Sequence, residues 1–102
     1  MAVRLIVGIT AAPGKGSDLG KLYKARCEEI VKEPGCEQFD IFRNVSNPDQ
    51  LVVLERWADQ AALDTHLARN KLRPPIPLGY RLEKDREDYI YNRTNRAEYD
   101  LV

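Results

Sequence analysis

The sequence predicts a single α+β domain with the element order βαββαβ and an antiparallel sheet. Its 102 residues are enough for one domain and too few for two. Hydrophobic residues make up 43% and charged residues 31% of the chain, a balance typical of a folded core with a charged surface. Segments with strand-like and helix-like spacing of apolar residues alternate along the chain, with turn residues between them.

The first strand and first helix are predicted from residues 3–10 and 17–32. The strand is rich in β-branched residues, and apolar side chains on both faces predict that both faces are covered. Pro13-Gly14 begins the turn that follows, and Ser17 or Asp18 is the predicted cap of the helix. The helix carries one inner stripe at helical spacing: Leu19, Leu22, Tyr23, Arg26, Cys27, Ile30 and Val31.

Two further strands are predicted at residues 36–43 and 50–57. Phe39 and Ile41 share one face of the earlier strand. The intervening turn contains Asn47-Pro48 and is short enough for an antiparallel hairpin. The two strands are therefore predicted to be neighbours in the sheet.

Asp59 is the predicted cap of a second helix that ends near Asn70. Residues 73–79 contain three prolines and predict an irregular connector. Residues 88–91 are the predicted last strand, and residues 92–102 are either frayed or in contact with a second copy. With both helices on one face of the sheet, this order predicts a ferredoxin-like domain.

The charge balance and the cysteines narrow the possible partners and compartment. Lys plus Arg equals Asp plus Glu at 16 each, which argues against nucleic-acid binding. No stretch approaches the ~20 apolar residues of a membrane span, and no signal peptide is recognised. Cys27 and Cys36 are interpreted as free thiols of a cytoplasmic protein, with a disulfide between them as the alternative.

Metal and nucleotide cofactors are not expected. One histidine and two cysteines without ligand spacing cannot build a usual metal site. The glycines at 14 and 16 precede a helix but match neither the dinucleotide-binding fingerprint nor the phosphate-binding loop.

Residues 51–67 are the most informative stretch of the chain. They contain its only tryptophan, Trp57, its only histidine, His66, and the carboxylate of Glu55 within an apolar run. This much polar chemistry beside a small core predicts a pocket at the junction of the third strand and the second helix.

Several short motifs resemble the antibiotic biosynthesis monooxygenase family, most strongly over residues 3–67, whereas residues 71–102 diverge from it. The motifs are Pro13-Gly14, Glu33-Pro34-Gly35-Cys36, Glu55-Arg56-Trp57-Ala58-Asp59, Ala61-Ala62-Leu63 and His66. The resemblance implies a dimeric α/β barrel, in which two protomers pack sheet against sheet and each holds a cavity between sheet and helices. Members of the family include cofactor-free monooxygenases of quinols and polycyclic phenols, and others degrade haem or isomerise phosphorylated sugars.

Two departures from the family argue against haem degradation. The haem-degrading branch needs an asparagine on the first strand, where this chain has Val7. It also needs a histidine about ten residues after the position of His66, in a region that is rich in proline here.

His66 is the candidate catalytic base, because an imidazole titrates near neutral pH and a phenol must lose a proton before it reduces oxygen. A purely structural histidine, bonded to a neighbouring strand, is the alternative. Trp57 is a candidate substrate-stacking residue, with a core aromatic as the alternative. Tyr23 is a candidate partner of a substrate oxygen, with core packing as the alternative.

Glu55 is the remaining candidate for substrate binding. A carboxylate on a covered face needs a partner, which is a ligand hydroxyl or an arginine such as Arg43 or Arg56. The first functional hypothesis is therefore a cofactor-independent monooxygenase that oxidises a small aromatic phenol or quinol as a homodimer. The alternatives are a non-oxidative isomerase of a small carbonyl compound, which needs a polar cavity, and a non-catalytic binding or accessory dimer.

Overall fold

The computed structural model describes residues 2–91 of the chain. Six elements follow in order: β1 (Ala2–Ala11), α1 (Gly16–Ile30), β2 (Cys36–Arg43), β3 (Gln50–Trp57), α2 (Gln60–Asn70) and β4 (Arg81–Tyr91). The strands form one antiparallel sheet in the order β2-β3-β1-β4. The predicted ferredoxin-like fold is confirmed. The tail at 92–102, predicted to be either frayed or in contact with a second copy, lies outside the described residues.

Strict alternation along the two central strands puts the core on one face of the sheet. Every second residue of β1, from Val3 to Ala11, is buried, and β3 alternates in the same way from Leu51 to Trp57. The register places Leu5 opposite Glu55, so a buried carboxylate lies among the core residues of that face. Both helices contribute their apolar residues to this same core.

The start of α1 differs from the prediction. The helix begins at Gly16, and neither Ser17 nor Asp18 caps it. The carboxylate of Asp49, in the loop before β3, instead accepts hydrogen bonds from the backbone N–H groups of Gly14 and Gly16, both at 3.0 Å. A side chain distant in sequence thus satisfies donors that a local cap would otherwise serve.

The turn that connects α1 to β2 packs against α2. The helix ends at Ile30, two residues before the predicted Lys32. Gly35 has a φ of +79°, and a Cβ added there would lie 2.5 Å from the Cβ of Ala62. This close approach positions the buried Glu33 next to α2.

The second half of the chain confirms two predictions and corrects one. The Asp59 side chain accepts a hydrogen bond from the Ala62 N–H at 2.8 Å and caps α2 as predicted, and the proline-rich connector is irregular. The last strand, however, begins at Arg81 rather than Asp88. Charged residues have weak strand preference, but backbone pairing with β1 along its length overrides it.

Replacing Gly16 with alanine is expected to destabilise the fold by about 2–4 kcal/mol. A Cβ there would lie 1.8 Å from the carbonyl oxygen of Pro48, which is backbone and cannot rotate away. Urea unfolding of the purified variant measures the loss. Gly20→Ala is the matched control on the same helix, since its Cβ would meet only the Leu51 side chain at 3.6 Å. Equal stabilities of the two variants would contradict the close packing of the Asp49 loop on α1.

Candidate active site

A cavity of about 80 Å³ lies between the helices and the buried face of the sheet. Three of the four predicted site residues line it: His66 from α2, Glu55 from β3 and Tyr23 from α1. Trp57 is fully buried and does not line it. The structure therefore brings three of the predicted residues together around the cavity, whereas the tryptophan lies in the core beside it.

His66 is held by one of its two ring nitrogens. Its Nδ1 lies 3.1 Å from Oε2 and 3.3 Å from Oε1 of Glu33, and both side chains are buried. An ionised carboxylate can only accept, so Nδ1 carries the proton and Nε2 is the basic nitrogen that remains for a ligand. Burial lowers the pKa of His66, opposed by the hydrogen bond and charge of Glu33, so the ring is neutral at pH 7.

Glu33 is the main site residue to which the sequence assigned no role. Its Oε2 accepts a hydrogen bond from Nη2 of Arg73 at 2.9 Å, and Nη1 of Arg69 lies 3.9 Å from its Oε1. A negative charge just after the C-terminus of a helix interacts unfavourably with the helix dipole. The position of Glu33 in the sequence therefore indicated that its carboxylate pairs with groups on another element. His66 alone would leave that buried charge unbalanced, and Arg73 supplies the cation.

Trp57 packs against the site residues without lining the cavity. Its ring stacks on that of His66 with centroids 4.6 Å apart and planes 25° apart, and Phe39 packs edge-on against both rings. The indole Nε1–H donates to Oε1 of Glu55 at 3.0 Å. One aromatic side chain thus fixes the orientation of both the base and the carboxylate.

Glu55 lies on the buried face, and burial raises its pKa above the usual range. The hydrogen bond from Trp57 and the charges of Arg86 and Lys84 oppose that rise. The arginines proposed from sequence are elsewhere. Arg56 points to Glu37, with Nε 3.6 Å from Oε1, and Arg43 lies opposite Leu51 near the other end of β3.

Tyr23 and Asn70 complete the polar lining of the inner cavity. The Tyr23 hydroxyl accepts a hydrogen bond from Nη1 of Arg81 at 2.7 Å and retains its own proton to donate. The side-chain oxygen of Asn70 is buried and has no hydrogen-bond partner among residues 2–91. Both groups can serve a ligand hydroxyl.

Comparison with known proteins places the chain in a family. The model of the antibiotic biosynthesis monooxygenase family matches residues 2–73. The chain belongs to the antibiotic biosynthesis monooxygenase family. This membership supports a general monooxygenase role. Among curated proteins, none matches the chain.

Solved structures of the same fold agree with this membership. A conserved protein from Methanosarcina mazei Go1 is 27% identical, with a TM-score of 0.74 over 87% of this chain and 91% of that one. A protein described as an antibiotic biosynthesis monooxygenase is 26% identical, with a TM-score of 0.73 over 89% and 99%. A mutant of SnoaB, a cofactor-independent oxygenase from Streptomyces nogalater, is 15% identical with a TM-score of 0.72 over 93% and 97%, which shows the fold alone.

The two cysteines of this family member are free, as predicted. Burial raises the pKa of Cys27 to about 12 and that of Cys36 to about 11. Both are therefore thiols at neutral pH, and neither is a ready nucleophile.

Within residues 2–91 of this monooxygenase-family chain, no three histidine, cysteine or carboxylate side chains group as a metal site would require. The helices of the same segment are all too short or too polar to cross a membrane.

Proposed function

We propose that the protein is a cofactor-independent monooxygenase that oxidises a small, single-ring phenol or quinol with molecular oxygen. The observation that carries the proposal is a buried, neutral His66, held by Glu33 through Nδ1, in the wall of a small cavity. Family membership supports the reaction class, and the fold shared with a cofactor-independent oxygenase is consistent with it.

The first step is removal of a proton from the ligand hydroxyl by Nε2 of His66. The resulting imidazolium is stabilised by the Glu33 carboxylate on the opposite nitrogen, while the phenolate becomes electron-rich. Because the ring is neutral before the step, it accepts the proton at pH 7 without first losing one.

The electrons for oxygen come from the ligand itself. The quinol anion gives one electron to oxygen, and the two radicals join to form a C–O bond on the ring. His66 returns its proton to the peroxide, the O–O bond breaks as the ring C–H proton leaves, and water departs. A quinol and one oxygen molecule thus give a hydroxyquinone and one water, and no separate reductant is consumed.

The other lining residues orient the ring. Tyr23 and the unpartnered oxygen of Asn70 are placed to bond the ligand's oxygens. Glu55 accepts from Trp57 and can accept from a second ligand hydroxyl. Trp57 itself is proposed to position His66 and Glu55 instead of touching the ligand.

The cavity volume limits the ligand to one ring. At about 80 Å³ it is smaller than an apolar cavity of about 150 Å³ that holds benzene. The enclosed space therefore accepts only part of a single ring, with the rest towards β4. Polycyclic phenols do not fit within it.

A homodimer built sheet to sheet is proposed from the opposite face of the sheet. There Ile6 lies opposite Leu54, and Val52 lies opposite Phe42, which is 48% exposed. An apolar face of this kind is covered when two copies pack their sheets together.

The charged lining of the cavity favours a second candidate, a non-oxidative isomerase of a small anionic carbonyl compound. Four cationic side chains, described below, make the cavity polar, as that hypothesis requires. His66 would then move a proton between carbon and oxygen, and oxygen would not be consumed.

Oxygen uptake by chelator-treated protein tests the proposal. With single-ring quinols, we expect one oxygen consumed per quinol at a rate well above spontaneous oxidation, with heavy oxygen from labelled gas in the product. An anthrone of three fused rings should give no enzymatic rate. Uptake that requires added metal or flavin would overturn the proposal, as would its absence across all single-ring quinols.

A further inference from the structure

Four cationic side chains line the same cavity as His66: Arg26, Arg81, Lys84 and Arg86. Among residues 2–91, Glu55 is the one carboxylate that lines it with them. Arg26 lies on the predicted inner stripe of α1, whereas the other three belong to the part of β4 that was not predicted to be a strand. The lining thus has more positive than negative charges, and like charges that share a partly desolvated site repel each other. A negatively charged ligand would reduce this repulsion.

The strand register separates these cations from the catalytic end of the cavity. On β4, Arg86 lies opposite Val7 and Lys84 lies opposite Ile9, so both are on the face that carries the core of β1. Val7 in turn lies opposite Val53 of β3. The cations of β4 are therefore two strand spacings, about 10 Å, from the strand that carries Glu55.

The two ends also differ in exposure. Glu55 and His66 are 6% and 3% exposed, whereas Arg81, Lys84 and Arg86 belong to the exposed residues. The cavity therefore has a buried end with the proposed base and a cationic mouth at β4. We define the cationic mouth as Arg26, Arg81, Lys84 and Arg86.

Three side chains of the cationic mouth already form hydrogen bonds or ion pairs within the protein. Arg86 bonds both carboxylate oxygens of Asp88 at 2.7 and 2.9 Å, and Arg26 donates to the carbonyl oxygen of Pro74. Arg81 donates to Tyr23, a neutral group that leaves its charge unbalanced. Within residues 2–91, Arg26, Arg81 and Lys84 form no ion pair. Of these, Arg81 and Lys84 are neighbours on the same face of β4, opposite Ala11 and Ile9, so these two are placed to bind one anion together.

We propose that the ligand of this cavity is an aromatic acid, whose hydroxyl-bearing ring enters the buried end while its carboxylate binds Lys84 and Arg81. The enclosed volume holds only part of one ring, so the substituent of the ring lies towards the cationic mouth, whose side chains line the same cavity. A carboxylate offsets the local excess of positive charge and forms charge-assisted hydrogen bonds with both donors. The hydroxyl-bearing ring of the ligand follows from the proposed function, on which this part of the inference rests. The carboxylate of the ligand follows from the cationic mouth.

Anaerobic titration calorimetry tests the inference apart from turnover. The probe is 2,5-dihydroxybenzoate, a quinol acid, and its comparison ligand is the neutral methyl ester. We expect the acid to bind at least about 10-fold more tightly than the ester, with an advantage that shrinks as salt rises. Equal affinities of the acid and the ester would overturn the inference.

Two variants locate the anion. Lys84→Ala should remove most of the acid's advantage over the ester, because the variant lacks one of the two charges that bind the carboxylate but keeps the buried end of the cavity. Lys24→Ala, at an exposed position of α1, is the matched control and should behave as wild type. An unchanged preference for the acid in Lys84→Ala would contradict the inference.

The failures of the two proposals are distinguishable. If neutral quinols are oxidised and the acid gains nothing in binding, the proposed function stands and the aromatic-acid inference fails. If the acid binds at the cationic mouth but no quinol consumes oxygen, the inference about the ligand stands and the monooxygenase proposal fails.

Discussion

Replacing His66 with glutamine is expected to lower the rate of quinol oxidation by about 10²–10⁴-fold while the fold is retained. Glutamine can still donate to Glu33 through its amide, but it has no basic nitrogen to accept a proton. Oxygen-electrode kinetics measure the loss, and circular dichroism verifies the fold. Thr65→Ala, one residue earlier on the exposed side of α2, is the matched control and should retain wild-type turnover.

The pH profile gives this prediction a second readout. Burial lowers the pKa of His66, so kcat/KM of the wild type should rise with pH in the acid range below 6.5 and be level at pH 7. The glutamine variant should lack that rise. Wild-type turnover in His66→Gln, or the same acid limb in both proteins, would remove His66 from the mechanism.

Replacing Glu33 with glutamine is expected to cost about 3 kcal/mol of folding free energy and to slow turnover about 10-fold or more. The change leaves Arg73, whose side chain is 18% exposed, without its buried carboxylate, and removal of one partner of such a pair is costly. It also takes the negative charge from the imidazolium that forms during proton transfer. Urea unfolding measures the first effect and steady-state kinetics the second.

A shift of the pH profile separates positioning from packing in this variant. The hydrogen bond and charge of Glu33 raise the pKa of His66 against the effect of burial, so their loss should move the acid limb of kcat/KM to lower pH. Glu29→Gln is the control, because Glu29 is 70% exposed and lies 4.0 Å from Arg73, and its effect should stay within about 0.5 kcal/mol. An unshifted limb in an active Glu33→Gln protein would assign Glu33 a structural role alone.

Local patterns were sufficient for most of the fold. The positions of β1 and β3, the inner stripe of α1 up to Ile30 and the Asp59 cap of α2 each depend on residues close in sequence, and the structure confirms them. Val31, the last predicted member of the stripe, is instead 44% exposed beyond the end of the helix. The second face of β1, which was also predicted to be covered, is only half-buried in the protomer. The start of α1 and the extent of β4 depend on tertiary partners. Asp49 caps α1 from 33 residues away, and β4 owes its length to pairing with β1.

The site residues also fall into those that local sequence patterns predicted and those that depend on tertiary partners. His66, Glu55 and Tyr23 were predicted because they are polar groups on apolar stripes, a signal that one element carries by itself. Glu33 acquires its role only when the turn after α1 packs on α2, and Lys84 only when the register of β4 places it on the face of the cavity. Contacts of this kind are set by packing between elements, which no single segment of the sequence encodes.

The most direct test of the central claim, that His66 removes the ligand proton before oxygen reacts, is an anaerobic ultraviolet difference spectrum of bound quinol across a range of pH. An ordinary phenol ionises near pH 10 and stays protonated beside a neutral imidazole at equilibrium, so the probe is a nitro-substituted quinol, whose electron-withdrawing group brings ionisation into the range of an imidazole. We expect wild-type protein to ionise the bound probe at a lower pH than in free solution, seen as the red-shifted absorbance of its anion, and His66→Gln to lose that shift. A nitroquinol that binds the wild type and ionises no more readily than in solution would contradict the account.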